Sequence, residues 1–259
     1  MAEYTPQYNL FKTINRLASI SQFVFWTILG FSVITVVFKD FFEKLDLLNI
    51  INILNIIGIC LFFILEIISD YILIPQADSK RRDDFIDNSF GSGFSTNNSV
   101  GYFDNDEVTQ GLYKASVNLF QNCFFTYSLV KVTTINKIVL PSIMLLFMIA
   151  FAYYGFKEVP FGLSILQALF SINILGTLIK HLILLTRLAT IQDSWIVLFH
   201  QVDLKTNISK YQSAIYRYWL QYEVLHSKIN AGIPEKIYKK RNPSLTEEWK
   251  KMKVKYNIK

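Results

Sequence analysis

Charge is scarce in this chain: Asp, Glu, Lys and Arg make up 18% of its 259 residues, against 52% hydrophobic and 15% aromatic residues. A soluble domain of this size carries about 25% charged residues, so the balance argues against one and points to lipid. Cysteine is nearly absent. Cys60 lies in an apolar run and Cys123 in a polar segment, with neither disulfide nor zinc-ligand spacing between them. His181, His200 and His226 have no Cys or His partner at ligand spacing, so no metal centre and no cofactor are expected. There is no phosphate-binding glycine loop, no zinc-protease helix and no nucleophile elbow. A conductor or sensor fits these absences better than an enzyme. Nor does an internal repeat point to an inverted-repeat transporter.

What the chain does have is four uncharged runs, at 17–38, 47–65, 138–156 and 159–179. Each is close to the ~20 residues that carry a helix across a hydrocarbon core. The intervening turns at 39–46 and 157–158 are too short to hold a domain, so the runs pair into two hairpins. The expectation is an all-α, four-helix transmembrane protein with a helical cytoplasmic region. Buried helices of a soluble bundle are the alternative. Four segments follow: an N-terminal hairpin at 1–75, a central polar segment at 76–131, a second hairpin at 132–186 and a basic C-terminal region at 187–259. Of the 26 Lys and Arg residues, 23 fall outside the two short turns. By the positive-inside rule both termini and the central segment are then cytoplasmic. The first span reads as an uncleaved anchor, because its exit lacks a small-residue cleavage pattern.

In the central segment, a charged helical stretch at 80–87 passes into a Gly/Ser/Asn-rich loop at 91–99. Asp104 and Glu107 have the spacing of a capping box, which predicts a helix from about 106 to 131. A calcium loop is the weaker reading, since its distal Glu is missing. Further helices are expected to about 202, over 209–230 until Ala231-Gly232-Ile233-Pro234 stops it, and as a short last helix opened by Ser244 and Glu247.

Asn49, Asn52, Asn55, Glu66 and Asp70 recur among the apolar residues of the second span. At about 100° per residue they share a face roughly 120° wide, and at ~1.5 Å per residue they extend over roughly 32 Å, the depth of the hydrocarbon. Such a stripe is costly unless it meets water or another helix. In one reading the second spans of several subunits surround a pore, with Glu66 and Asp70 as acidic rings favouring cations and Ile59, Phe62 and Phe63 as a hydrophobic gate. In the other, the Asn residues are interhelical hydrogen-bonding glue and the acids lie at headgroup depth. Ser164, Gln167 and Ser171 mark a weaker polar face on the fourth span.

From Arg187 onward there are 14 Lys or Arg against 6 Asp or Glu. That excess invites an anionic partner. Arg217, Trp219, Lys236, Lys239, Lys240 and Arg241 combine aromatic and cationic groups in a way that suits stacking on bases and neutralising phosphates. Contact with anionic lipid headgroups and ordinary helix packing are the competing readings.

The run Lys80-Arg81-Arg82-Asp83-Asp84-Phe85-Ile86-Asp87-Asn88-Ser89-Phe90-Gly91, with Gly101-Tyr102-Phe103 and Asn118-Leu119-Phe120-Gln121-Asn122-Cys123-Phe124-Phe125, resembles small bacterial four-span proteins. These are pore-forming effectors encoded beside nucleotidyltransferases in anti-phage systems of the cyclic-oligonucleotide and Hailong types. The resemblance covers about 50 central residues plus the four-span layout. It implies a homo-oligomeric channel in the bacterial inner membrane, opened or closed by a nucleotide or short oligonucleotide. It transfers no ligand residues.

Overall fold

The computed structural model describes residues 5–154, 172–201 and 203–258. Among them the chain is all-α. Helix α1 spans Tyr8–Val37, the short α2 Lys39–Lys44 and α3 Leu48–Ile67. A π-helical segment, Ile68–Leu73, joins α3 to α4 (Ile74–Phe90) without a break. Helix α5 runs Leu112–Tyr154, α6 Thr177–Gln201 after a π-helical Ile172–Gly176, α7 Gln212–Lys228 and α8 Glu235–Lys255. Four helical stretches are long and apolar enough to cross a membrane: Tyr8–Val37, Leu48–Phe90, Leu112–Phe147 and Ile174–His200. The chain is thus a multi-pass membrane protein. The short turn at 157–158, most of the expected fourth span, and its Ser164, Gln167 and Ser171 face lie outside the described residues.

The chain divides into two compact units. One comprises Lys12–Ile74 and Ile135–Lys180. Its helices carry apolar side chains around most of their circumference, and Ile53, Ile56, Ile57, Phe63 and Ile64 of α3 are more than half exposed. Water would penalise each such side chain by roughly 1.5–3 kcal/mol relative to burial, so lipid or another chain covers them. Within the unit α1 and α3 approach closely at Gly58, where a Cβ would lie 2.8 Å from Ile28 Cγ1. Phe25 and Phe62 meet at 6.1 Å. Met144 and Ile174 are buried against Phe25, Leu29 and Leu175.

The other unit comprises Met1–Phe11, Pro75–Thr134 and His181–Lys259, so the central segment and the C-terminal region share one core. Phe120, Trp195, Trp249, Phe85, Leu188, Ile215 and Leu245 are essentially inaccessible to solvent. Phe120 stacks on Phe199 at 5.2 Å and meets the edge of Trp249 at 5.4 Å. Such aromatic pairs are worth ~1 kcal/mol each beyond the area they bury. Tyr8 reaches α8 by donating a hydrogen bond from its hydroxyl to Glu235 at 3.2 Å.

Two helix starts differ from expectation. Asp104 and Glu107 do not cap a helix, since α5 begins only at Leu112 after Gly111 at φ 135°. Instead Lys253 of α8 donates to the Asp104 carbonyl at 2.6 Å and to the Glu107 carboxylate at 2.7 Å. Ser244 lies inside α8, which starts at Glu235, and its hydroxyl donates to the Arg241 carbonyl at 2.9 Å. The side chains that local capping boxes would have used are taken elsewhere: the Glu107 carboxylate by Lys253, the Asp104 carboxylate by Gln121 at 3.4 Å, and the Ser244 hydroxyl by the preceding turn of α8. The predicted stop after α7 is present: the helix ends at Lys228 and Gly232 takes φ 54°.

Candidate functional site

The polar residues of the second span occupy α3 and the π segment that follows it. Asn49 and Asn52 are exposed, Asn55 and Glu66 are half-buried, and Asp70 is exposed. The Asn55 amide oxygen is buried with no hydrogen-bond donor among the described residues. Ser21 of α1 donates to Glu66 at 2.5 Å, so this acid is held against its neighbour rather than turned fully outward. Ile59 and Phe63 are exposed, while Phe62 packs on Phe25 and meets Phe63 edge-on at 5.6 Å. The constant rotation that aligns Asn49 to Glu66 holds through Ile67. Beyond it, the wider turn of Ile68–Leu73 shifts the phase at Asp70 and buries Ser69.

The C-terminal candidates are distributed over two helices. Arg217 is exposed on α7, and Trp219 is half-buried, edge-on to Phe85 at 5.3 Å and stacked with Phe90 at 6.3 Å. On α8, Lys239 pairs with Glu235 at 2.6 Å, and Lys236 and Lys240 are exposed. Arg241 is half-buried with its Nε unpartnered among the described residues. None of these six is hydrogen-bonded to another of the six among the described residues.

Sequence reasoning missed how much of the charged 80–87 stretch is interior. Arg81 is 8% exposed and donates to the Glu223 carboxylate of α7 from both terminal guanidinium nitrogens, Nη2 at 2.5 Å and Nη1 at 3.2 Å. Asp78 lies 3.6 Å from Arg81 Nε and 3.3 Å from His226 Nδ1. Burial alone would raise the Asp78 pKa, but the nearby His226 ring, with Arg81 and Arg82, outweighs it and holds the group below its usual value. For Arg81, burial opposes the charge, yet Glu223 and Asp78 hold the guanidinium above its ordinary range.

Two other acids fasten the loop. Asp87 accepts from the Phe94 and Ser95 amides at 2.7 and 2.6 Å, and Asp84 accepts from the Ser99 amide at 2.7 Å. Burial works to raise both carboxyls. It prevails at Asp84, while the Phe94 and Ser95 donors reverse it at Asp87. The three-residue spacing of Arg81, Asp84 and Asp87 was the available signal, since positions three apart share one helix face.

A second interior network is centred on Asn105, which is fully buried. Its amide donates to Asn118 at 2.9 Å and Gln121 at 2.7 Å, and its oxygen accepts from the Trp249 indole at 3.2 Å. Asn118 donates onward to Asn88 at 2.9 Å. The Asn-Ser and Asn-x-x-Gln residues of the central run thus meet as mutual hydrogen-bond partners inside the core, where each unpaired group would cost about 1–3 kcal/mol.

Among the described residues no three His, Cys, Asp or Glu side chains are grouped to hold a metal ion. No protein-family model, curated protein or solved structure matched the chain.

Proposed function

We propose that this multi-pass protein assembles with copies of itself into a transmembrane ion channel, in which α3 lines the conducting path. The observation that carries the reading is the polar series Asn49, Asn52, Asn55 and Glu66 on a helix whose most apolar stretch has no buried residue. Exposed amides at Asn49 and Asn52 are costly against hydrocarbon and call for a partner that neighbouring subunits or pore water would supply. Glu66 and Asp70 then set a preference for cations, and Ile59 and Phe63 narrow the path. The fuller form is a pore-forming effector of a bacterial anti-phage system. It would sit in the inner membrane with both termini cytoplasmic and dissipate the membrane potential under control of a nucleotide or oligonucleotide signal. The resemblance of the central run supports this form. A ligand controls such an equilibrium only by binding open and closed assemblies with different affinity.

Purified oligomer in planar bilayers tests the proposal. Cation-selective current is expected, and Glu66→Gln with Asp70→Asn should shift the reversal potential in a salt gradient towards non-selectivity. Absence of current from a demonstrably oligomeric sample refutes conduction, and unchanged selectivity removes the two acids from the path.

One observation favours a second reading, a membrane-anchored scaffold or small transporter with a cytoplasmic protein partner. Tyr216, Leu220 and Val224 repeat every fourth residue on α7 and are 42%, 64% and 49% exposed, the pattern of a helix face that receives a partner.

A further inference from the structure

Helix α7 turns one side into the core and another to solvent. Ile215 and Tyr222 are buried, while Tyr216, Leu220 and Val224 form an apolar line that is 42%, 64% and 49% exposed. Positions four apart share a helix face, so the line follows about two turns of the helix. Aromatic rings adjoin it: Tyr216 and Trp219 lie 6.4 Å apart, and Trp219 stacks at 6.3 Å on Phe90, which is 37% exposed at the end of α4. An apolar line with Tyr and Trp at its edge is the anchor pattern of a surface that receives a helix.

The charges beside this line are sorted by sign. At about 100° per residue, Arg217 and Lys228 fall ~60° and ~80° to one side of its centre, and Glu223 falls ~60° to the other. Arg217 and Lys228 are exposed, and neither makes an ion pair among the described residues. Glu223 is the single acid of α7, and Arg81 of α4 takes both its oxygens. The open rim of the line is therefore cationic, with no carboxylate of its own helix left to balance it.

That asymmetry selects among occupants. A second copy of the same face brings no acid to Arg217 or Lys228 and adds cations, and like charges across an interface cost affinity. A lipid surface takes a helix whose apolar face is broad. Here the line is one residue wide, and Ser213, Gln221 and Ser227 are exposed around it. A helix with its own apolar line and with Asp or Glu along one flank meets both features. Its apolar side chains pack on Tyr216, Leu220 and Val224, and its acids reach Arg217 and Lys228.

We propose that the exposed face of α7 is the docking surface for an acidic amphipathic helix of a partner protein. This deepens the second reading above and rests on it for the existence of a protein partner. It holds whether or not α3 conducts. The apolar anchors carry the affinity, and the rim pairs set the register and the rate of association. Trp219 serves as the ring that joins Tyr216 to Phe90 and widens the surface towards α4.

The test uses the full chain in the cell that makes it, with a photoreactive benzoylphenylalanine in place of Leu220. Irradiation should give an adduct to another protein. Sequencing of the crosslinked peptide should place it on a helix with apolar residues three or four apart and Asp or Glu on one flank. Arg217→Glu with Lys228→Glu should lower the adduct yield about fivefold or more, with thermal unfolding of the free chain unaltered because both side chains are exposed. The proposal is overturned if the adduct is to lipid or to a second copy, if the crosslinked segment lacks the acidic flank, if charge reversal leaves the yield within about twofold, or if no adduct forms. A lysine-reactive crosslinker on the same membranes separates the two readings. A protein partner captured there while position 220 stays silent refutes this face alone, and no protein partner by either route refutes the scaffold reading with it.

Discussion

Replacing Glu223 with Ala removes both acceptors of the Arg81 fork, at 2.5 and 3.2 Å. The nearest remaining carboxylate, Asp78, is 3.6 Å from Arg81 Nε, too far for a strong hydrogen bond. Two unit charges about 4 Å apart attract by ~4 kcal/mol at an effective dielectric constant near 20, and removing one member of a buried pair costs roughly 3–5 kcal/mol. Glu223→Ala and Arg81→Met are therefore each expected to destabilise the folded chain by about 3 kcal/mol or more. The double variant Arg81→Met/Glu223→Leu should cost no more than either single change, because it leaves no unpaired charge of the pair and Asp78 retains His226 at 3.3 Å. Denaturant unfolding in detergent, followed by tryptophan fluorescence, measures all four corners of this cycle. Trp219, on the same helix as Glu223, provides a nearby reporter. Single-variant losses below about 1 kcal/mol, or strict additivity of the two, would refute a buried and mutually dependent pair.

Asp87→Asn tests how the 91–100 loop is held. The native Asp87 pKa lies below its usual value, so its contribution is present above about pH 4 and is lost as pH falls through that value towards the native one. The variant should thus be less stable at neutral pH, with the gap to the wild type closing in acid on thermal unfolding by circular dichroism. A constant gap contradicts the assignment. Asp84 has the opposite sign, since its raised pKa makes its charged form a cost that acid relieves. At the α1–α3 crossing, Gly58→Leu should destabilise by about 1–3 kcal/mol through overpacking against Ile28. Combining it with Ile28→Ala should recover most of the loss in mixed-detergent unfolding, and no recovery would locate the strain elsewhere.

The spans were legible because the demand on them is local: a helix in hydrocarbon must be apolar over its length, and a run such as 47–65 shows that directly. The loop at 91–99 and the stop after α7 were legible from glycine and proline for similar reasons. The interior of the other unit was not. Asp104 and Glu107 have capping-box spacing, yet Lys253, about 150 positions later, claims them. Arg81 is one charge of a helical stretch in the sequence, and only the fold places Glu223 beside it. Nothing local pairs Asn118 and Gln121 with Asn105 and Trp249, which close around them in the core. Each case turns on a partner remote in sequence, where helical periodicity carries no information.

The π-helical turn at Ile68–Leu73 has a consequence for how this chain can vary. It carries the helical run Leu48–Phe90 through 43 residues without a break. The π turn acts as a surplus residue accommodated within the helix, so deleting one residue there would leave an ordinary α-helix. The same deletion placed between Asn52 and Asn55 would instead turn Asn55 by about 100° off the face it shares with Asn52. A single-residue change of length is thus absorbed at one point of the chain and disruptive a few turns earlier.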